Sequence, residues 1–174
     1  MNIHGENIVL RAIEIKDGEM LMEIINDPDT EYGLGGWSLP VSTTVQEEWI
    51  AGLRKEKDSI KLVIEDKDSG EAVGVIMLTD IDNKNGNAQI HIKLSTKNVR
   101  GKGYGTSAIN ALTKYAFDEL RLHLVYSFVQ SNNTASQKLF SKCGYTQEGI
   151  MRSRLYKRGE HLDVIPFSII NKRD

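Results

Sequence analysis

Residues 88–108, AQIHIKLSTKNVRGKGYGTSA, constrain the fold more than any other stretch of the chain. Ala88, Ile90, Ile92 and Leu94 alternate with Gln89, His91 and Lys93, the period of a strand with one buried face. The alternation gives way to Arg100-Gly101-Lys102-Gly103-Tyr104-Gly105, in which glycine takes three of six positions, and a helical pattern follows from Thr106. Glycine leaves successive backbone N–H groups uncovered at a helix N-terminus. Unpaired donors and the positive end of the helix dipole attract phosphate there. Arg100 and Lys102 add formal positive charge. The stretch predicts a strand–turn–helix anion site for a phosphorylated cofactor; the competing reading is a basic surface loop.

Two phosphate loops can be tested against it. A Walker loop requires Ser or Thr after Gly-Lys, and Gly103 follows Lys102. Gly103-Tyr-Gly105-Thr-Ser-Ala108 satisfies G-x-G-x-x-A, but a dinucleotide site also needs an acidic residue about twenty positions on, closing the next strand. That strand ends Phe128-Val129-Gln130, without an acid. Neither loop fits.

With 174 residues the chain suits one domain, taking about 150 residues per domain. Its 40% hydrophobic and 26% charged residues are ordinary globular composition, sufficient for a core. A net charge of −2 gives no reason to expect nucleic acid or a membrane surface as partner. The single cysteine, Cys143, has no intrachain partner and fits a reducing cytoplasm. The N-terminus lacks an apolar signal core, and His4, His91, His123 and His161 lack metal-ligand spacing, so no metal is expected.

Along the chain, residues 7–13 read as a first strand. Asp17 caps a helix bearing Met20, Leu21, Ile24 and Ile25, stopped by Asp27-Pro28. Residues 32–40 read as a loop in which Trp37 forms a pocket wall or an interface. Thr44-Val-Gln-Glu47 reads as a capping box, with Val45, Trp49 and Leu53 on one helix face. Strands follow at 61–65 and 73–81, then the strand, loop and helix at 88–120, and a strand at 122–129. A short helix from Asn132-Asn133 closes at Cys143-Gly144. Two last strands, 146–156 and 162–170, flank Lys157-Arg-Gly159-Glu. The order gives an α/β domain with a mixed sheet.

Arg100, Gly103 and Gly105 fill the Gln/Arg-x-x-Gly-x-Gly/Ala pattern, and the loop resembles that of the GNAT N-acetyltransferase superfamily. The likeness extends further. Asn133-Thr-Ala-Ser136-Gln-Lys-Leu139-Phe140-Ser-Lys142-Cys-Gly144-Tyr145 resembles that superfamily's second motif. Glu148-Gly149, Arg152, Tyr156, Gly159 and Asp163 resemble the C-terminal hairpin of RimJ/RimL-type ribosomal-protein acetyltransferases and their spermidine-acetylating relatives, and Leu10-Arg11-Ala12 with Asp17 resembles their opening. The resemblance covers roughly residues 7–170 of a single 1–174 domain. It implies the GNAT acyl-CoA N-acyltransferase fold, a mixed central sheet splayed between its fourth and fifth strands. It also implies acetyl transfer from acetyl-CoA to a primary amine of a small molecule or a peptide or protein N-terminus; composition points to a soluble cytoplasmic domain, for which a homodimer is one assembly to test. The implied acetyl-CoA contacts are the backbone of Ile92, Lys93 and Leu94, the loop Arg100, Gly101, Lys102, Gly103, Tyr104, Gly105 and Thr106, and Asn133 and Phe140.

Attack by an amine on a thioester needs a base near pH 7. Many family members carry Glu where Gln89 stands, and a carboxamide is no base. His91 lies two residues on, on the same strand face, with a suitable reference pKa. Relatives often place Tyr at the position of Phe140. Ser136, one helical turn earlier, is the substitute acid. The spermidine enzymes have acids where Gly36-Trp37-Ser38 stands, which speaks against a polycation site unless Glu31, Glu47 and Glu48 compensate. Gln89 and Phe140 also motivate a second reading, a catalytically weak acetyl-CoA-binding module without an efficient acceptor. A third, a nucleotide-binding fold, would respond to ATP or NAD and not to CoA.

Overall fold

The computed structural model describes residues 1–34, 39–95, 99 and 101–172. Its strands are β1 (Ile3–His4), β2 (Ile8–Ala12), β3 (Ile60–Asp66), β4 (Ala72–Asp82), β5 (Asn87–Leu94), β6 (Leu124–Gln130), β7 (Thr146–Gln147), β8 (Met151–Lys157) and β9 (Glu160–Ile170). They form one sheet in the order β1-β2-β3-β4-β5-β6-β9-β7, with β8 also on β9. Every pairing is antiparallel except β5 with β6. The helices are α1 (Gly18–Asn26), α2 (Pro28–Gly33), α3 (Thr43–Gly52), α4 (Tyr104–Asp118) and α5 (Thr134–Lys142).

Strand alternation sorts the side chains onto two faces. On one face Ile76 and Leu78 of β4 and Ala88 and Ile90 of β5 pack with Ile109, Leu112 and Ala116 of α4 in the main core. On the other, Val75 and Met77 meet Leu21 of α1 and Ile50 and Trp49 of α3 in a smaller cluster. The odd-numbered residues of β5 (Gln89, His91 and Lys93) therefore look away from α4, toward α1 and α3. Close packing of β4 on β5 also requires Gly74: a Cβ there would lie 2.4 Å from the Lys93 carbonyl oxygen.

Several local expectations are corrected. Asp17 does not cap α1 with its side chain. Its carboxylate accepts two hydrogen bonds from Arg11, each 2.8 Å, and one from the Glu14 N–H, while Arg11 also pairs with Glu65. Burial pushes the Asp17 carboxyl up, but Arg11 and the Glu14 N–H outweigh it and hold the group below its ordinary value. The helix α3 begins two residues earlier than the Thr44 box implies. Ser42 is its cap, its Oγ accepting from Val45 N. Within that helix Gln46 and Ile50 are buried while Val45 is largely exposed. Residues 28–33, part of them read as loop, form α2, started by Pro28 and capped by Asp27, whose Oδ1 accepts from Thr30 N. The strand expected over 146–156 is two strands, β7 and β8, separated at Glu148-Gly149-Ile150, where Gly149 takes φ 156°.

Candidate active site

Strands β5 and β6 separate as they run. They pair only through Asn87 with Leu124, Ala88 with Val125 and Gln89 with Tyr126. Beyond Gln89 the β5 edge that faces β6 carries no ladder partner among the described residues, although β5 continues to Leu94 and β6 to Gln130. Backbone donors and acceptors on both edges of the resulting cleft are left for a ligand.

A cavity of about 780 Å³ opens on the α1/α3 face of this cleft. Its floor is Gln89, His91 and Lys93 of β5 with Met77 and Thr79 of β4; Phe128 and Gln130 of β6 and Leu155 of β8 complete the far side. The sequence-predicted pair Gln89 and His91 is thus brought together in one cavity. His91 Nε2 lies 3.0 Å from Thr79 Oγ1, and that hydroxyl donates to Asp80 Oδ2 at 3.0 Å. The Asp80 carboxylate takes the only hydroxyl proton, so Thr79 must accept from His91 Nε2–H. This tautomer leaves Nδ1 as the basic ring nitrogen. Burial first, and then the Lys93 charge, lower the His91 pKa below its ordinary value against an opposing pull from Asp80, so the ring is neutral at pH 7.

Lys93 extends into the same cavity. Burial, and then Lys61, pull its pKa below the ordinary lysine value. Lys61 is itself held by Glu56 at 2.7 Å and sits 5.2 Å from the centre of the Trp49 ring. Across the cleft, Gln130 is 2% exposed, and neither its Nε2 nor its Oε1 has a hydrogen-bond partner among the described residues. Thr79, Asp80, Lys61 and Gln130 were not singled out from sequence. Thr79 pairs with Gln89 and so lies diagonal to His91, and the β4–β5 register shifts just after it, between Thr79 and Asp82, where Asp80 takes φ 51°.

The glycine loop ends at Gly103, which caps α4 in the left-handed conformation (φ 79°), as Gly101 also turns (φ 78°). Gly105 lets the first turn of α4 approach Leu139 and Leu94: a Cβ would lie 3.1 Å from Leu139 Cδ2. Tyr104 is 5% exposed, and its hydroxyl donates to Asp66 of β3, so its side chain anchors the helix start. Lys102 is exposed and accepts through its carbonyl from Asn7 Nδ2 at 2.8 Å. Arg100 and Trp37 lie outside the described residues.

Asn133 is the cap of α5, its Oδ1 accepting from Ser136 N at 3.0 Å, and its Nδ2 donates to the Gly33 carbonyl at the end of α2. Phe140 is a core residue, 2% exposed, packed edge-on against Tyr145 and stacked with Phe167. Its ring is not a surface for a cofactor. Ser136, half-buried on α5, is not among the residues lining the cavity. Nor do its neighbours offer a ready acid: burial pushes the Cys143 thiol up to about 11, and burial likewise raises the Tyr145 hydroxyl, which is bonded to Thr113 at 2.7 Å. Glu31 is occupied by Lys157, and Glu47 and Glu48 are exposed on α3 and absent from the lining.

Residues 7–146 match the Acetyltransferase (GNAT) domain family. A putative ribosomal N-acetyltransferase, YdaF of Bacillus subtilis (strain 168), is 31% identical over 97% of this chain and 93% of its own. A solved structure described as a probable acetyltransferase superposes with a TM-score of 0.87 at 28% identity, covering 100% of this chain and 99% of that one. The spermidine N-acetyltransferase of Vibrio cholerae, solved with CoA and spermine, shares the fold with a TM-score of 0.85 at 24% identity, covering 94% of this chain and 95% of that one. With its splayed parallel pair, its glycine-capped helix and these relatives, the chain belongs to the GNAT family of acetyl-CoA-dependent N-acetyltransferases.

Proposed function

We propose that the cleft between β5 and β6 takes the pantetheine arm of acetyl-CoA, and that the cavity beside it receives a primary amine of a small molecule or a peptide N-terminus. The observation that carries this reading is the end of β5–β6 pairing at Gln89, directly beside the cavity that holds His91. The residues present suit the cosubstrate. Free strand edges over residues 90–94 and 127–129 match an amide-rich arm, and the Gly101 and Gly103 turns uncover backbone N–H groups at the start of α4 for its phosphates. Lys102 adds positive charge beside them. The acetyl thioester supplies the electrophilic carbonyl.

His91 Nδ1 takes the proton that the attacking amine loses as its nitrogen bonds to the acetyl carbon. The charge on the resulting imidazolium is offset by Asp80 through Thr79. A main-chain N–H on the free edge of Ile92, Lys93 or Leu94 faces the carbonyl oxygen as it gains charge. Collapse of the tetrahedral species breaks the C–S bond and releases CoA thiolate, a tolerable leaving group without an acid; Ser136 is not needed. Gln89 orients rather than deprotonates, since its carboxamide has no basic site at neutral pH.

Thiol release over a panel of amines tests this directly. Turnover above the hydrolysis rate is expected, with CoA binding weakened at least tenfold by Gly103→Val in a folded protein, because a β-branched residue at φ 79° displaces the backbone donors. Tight CoA binding without turnover on any amine would favour a binding module instead. Protection from unfolding by ATP or NAD and not by CoA would sink both.

A further inference from the structure

We propose that the acceptor amine carries an anionic group on an apolar body, recognised inside the cavity by Lys93 and Gln130. This rests on the cavity being the acceptor site of the acetyltransferase. Three observations converge on it. The walls are largely apolar, with Leu21, Ile24, Trp49, Val75, Met77 and Phe128 among them. No Asp or Glu is among the described lining residues. The charged groups that do line the cavity are cations, Lys61, Lys93 and Arg154.

These cations are not equivalent. Lys61 is neutralised by Glu56, whereas Lys93 meets no carboxylate among the described residues. An ammonium removed from water without a counter-ion is costly, and an arriving anion relieves that cost. Gln130 adds the second half of the recognition. Its carboxamide is buried, borders the cavity and has both ends unpartnered, so it can donate to the anion and accept from the amine of the same molecule. The spacing also fits one small molecule: His91 and Lys93 are alternate residues on one strand face, roughly 7 Å apart along it. A protonated polyamine meets the opposite surroundings. It would face Lys93 and Arg154, while Glu31 is bonded to Lys157 and Glu47 and Glu48 are exposed on α3 and absent from the lining.

Four probes separate the possibilities: L-phenylalanine, L-phenylalaninamide, the phosphonate analogue of phenylalanine, and spermidine. Binding is measured by calorimetry in the presence of CoA, and turnover by thiol release with acetyl-CoA. One of the two anionic amines is expected to bind about ten- to a hundredfold more tightly than the amide, the span of a charge-assisted hydrogen bond. Whichever anion wins identifies a carboxylate or a phosphate-type ligand. Lys93→Met, and independently Gln130→Met, should shrink that ratio while circular dichroism reports an intact fold. The amide is a stringent control, because its less basic amine is the better nucleophile at neutral pH. Preference for spermidine, equal binding of amide and anions, or a ratio unchanged in both variants would overturn the inference. Anion-selective binding without acetylation would leave the anion site standing and remove the catalytic reading instead.

Discussion

The Nε2 of His91 lies 3.0 Å from the Thr79 hydroxyl, which donates onward to the Asp80 carboxylate, so a neutral imidazole on β5 is oriented by two consecutive residues of β4. Orientation and charge compensation are separable. Removing the base with His91→Ala should cost roughly a hundredfold in kcat at neutral pH. Thr79→Val keeps the ring but deletes one hydrogen bond worth about 1 kcal/mol, so a fall of about fivefold is expected. Pre-steady-state and steady-state rates across pH 5–9 check this; wild-type rates and pH profiles in both variants would exclude His91 as the base.

Lys93 provides a second, independent handle on the same group. Burial and the Lys93 charge hold His91 below its ordinary value, so its basic form persists as pH falls below about 6.5. Lys93→Met removes the repulsion and leaves the burial. The acid limb of kcat/KM should therefore move upward in pH in this variant, whatever happens to the plateau. A limb that stays put, or moves down, would show that the titrating group is not His91.

The start of α4 makes a titration prediction at a distance from the cavity. The Tyr104 hydroxyl, followed by the N–H groups of Ser69 and Asp68, lowers the Asp66 carboxyl to about 2, and Asp66 in turn raises Tyr104 to about 12. The Asp66 contribution to stability is complete above its ordinary value of 3.8 and is lost as pH falls through about 2. The Tyr104 contribution is complete below 10.0 and is lost as pH rises through about 12. In Tyr104→Phe the Asp66 value should climb toward 3.8 in a carboxyl NMR titration, and CoA affinity should fall about fivefold as the helix start loosens. A wild-type Asp66 that already titrates at its ordinary value would remove the anchor.

What could be read from sequence, and what could not, follows from the range of the interactions involved. The alternation at β5 and the glycines of the loop are local signals, and the strand, turn and helix lie where those signals put them. Gln89 and His91 share the cavity because two-residue periodicity fixes a common face. Phe140 illustrates the limit: its place in a motif says nothing of the ring lying between Tyr145 and Phe167, residues brought to it by α5, β9 and the turn after α5. Asp17 is a residue type suited to a helix cap and is instead claimed by Arg11 from the neighbouring strand β2, an ion pair taking the place of a cap hydrogen bond to α1. Thr79 needed the β4–β5 register, Asp80 the irregularity that follows it, and Gln130 the divergence of β6, none of which leaves a mark on hydrophobic periodicity.

The fold's least visible requirement is Gly74, because the sequence offers no turn there to explain a glycine. It lies inside β4 opposite Leu94, and an added Cβ would meet backbone on both counts: Lys93 O at 2.4 Å and Leu94 Cα at 3.0 Å. Backbone cannot rotate aside as a side chain can, so Gly74→Ala must push β5 away from β4 beneath the cavity. A loss of about 2–3 kcal/mol is expected, at the upper end for overpacking. Gly52 at the end of α3 is the matched control, since nothing lies within 4 Å of its added Cβ; there Gly52→Ala should stabilise by about 0.4–1 kcal/mol through the unfolded state. Urea unfolding of the two variants gives opposite signs if the β4–β5 approach is as close as described. Equal and small effects would mean the strands stand further apart than a glycine requires, and the position of Lys93 and His91 over the cavity would have to be redrawn.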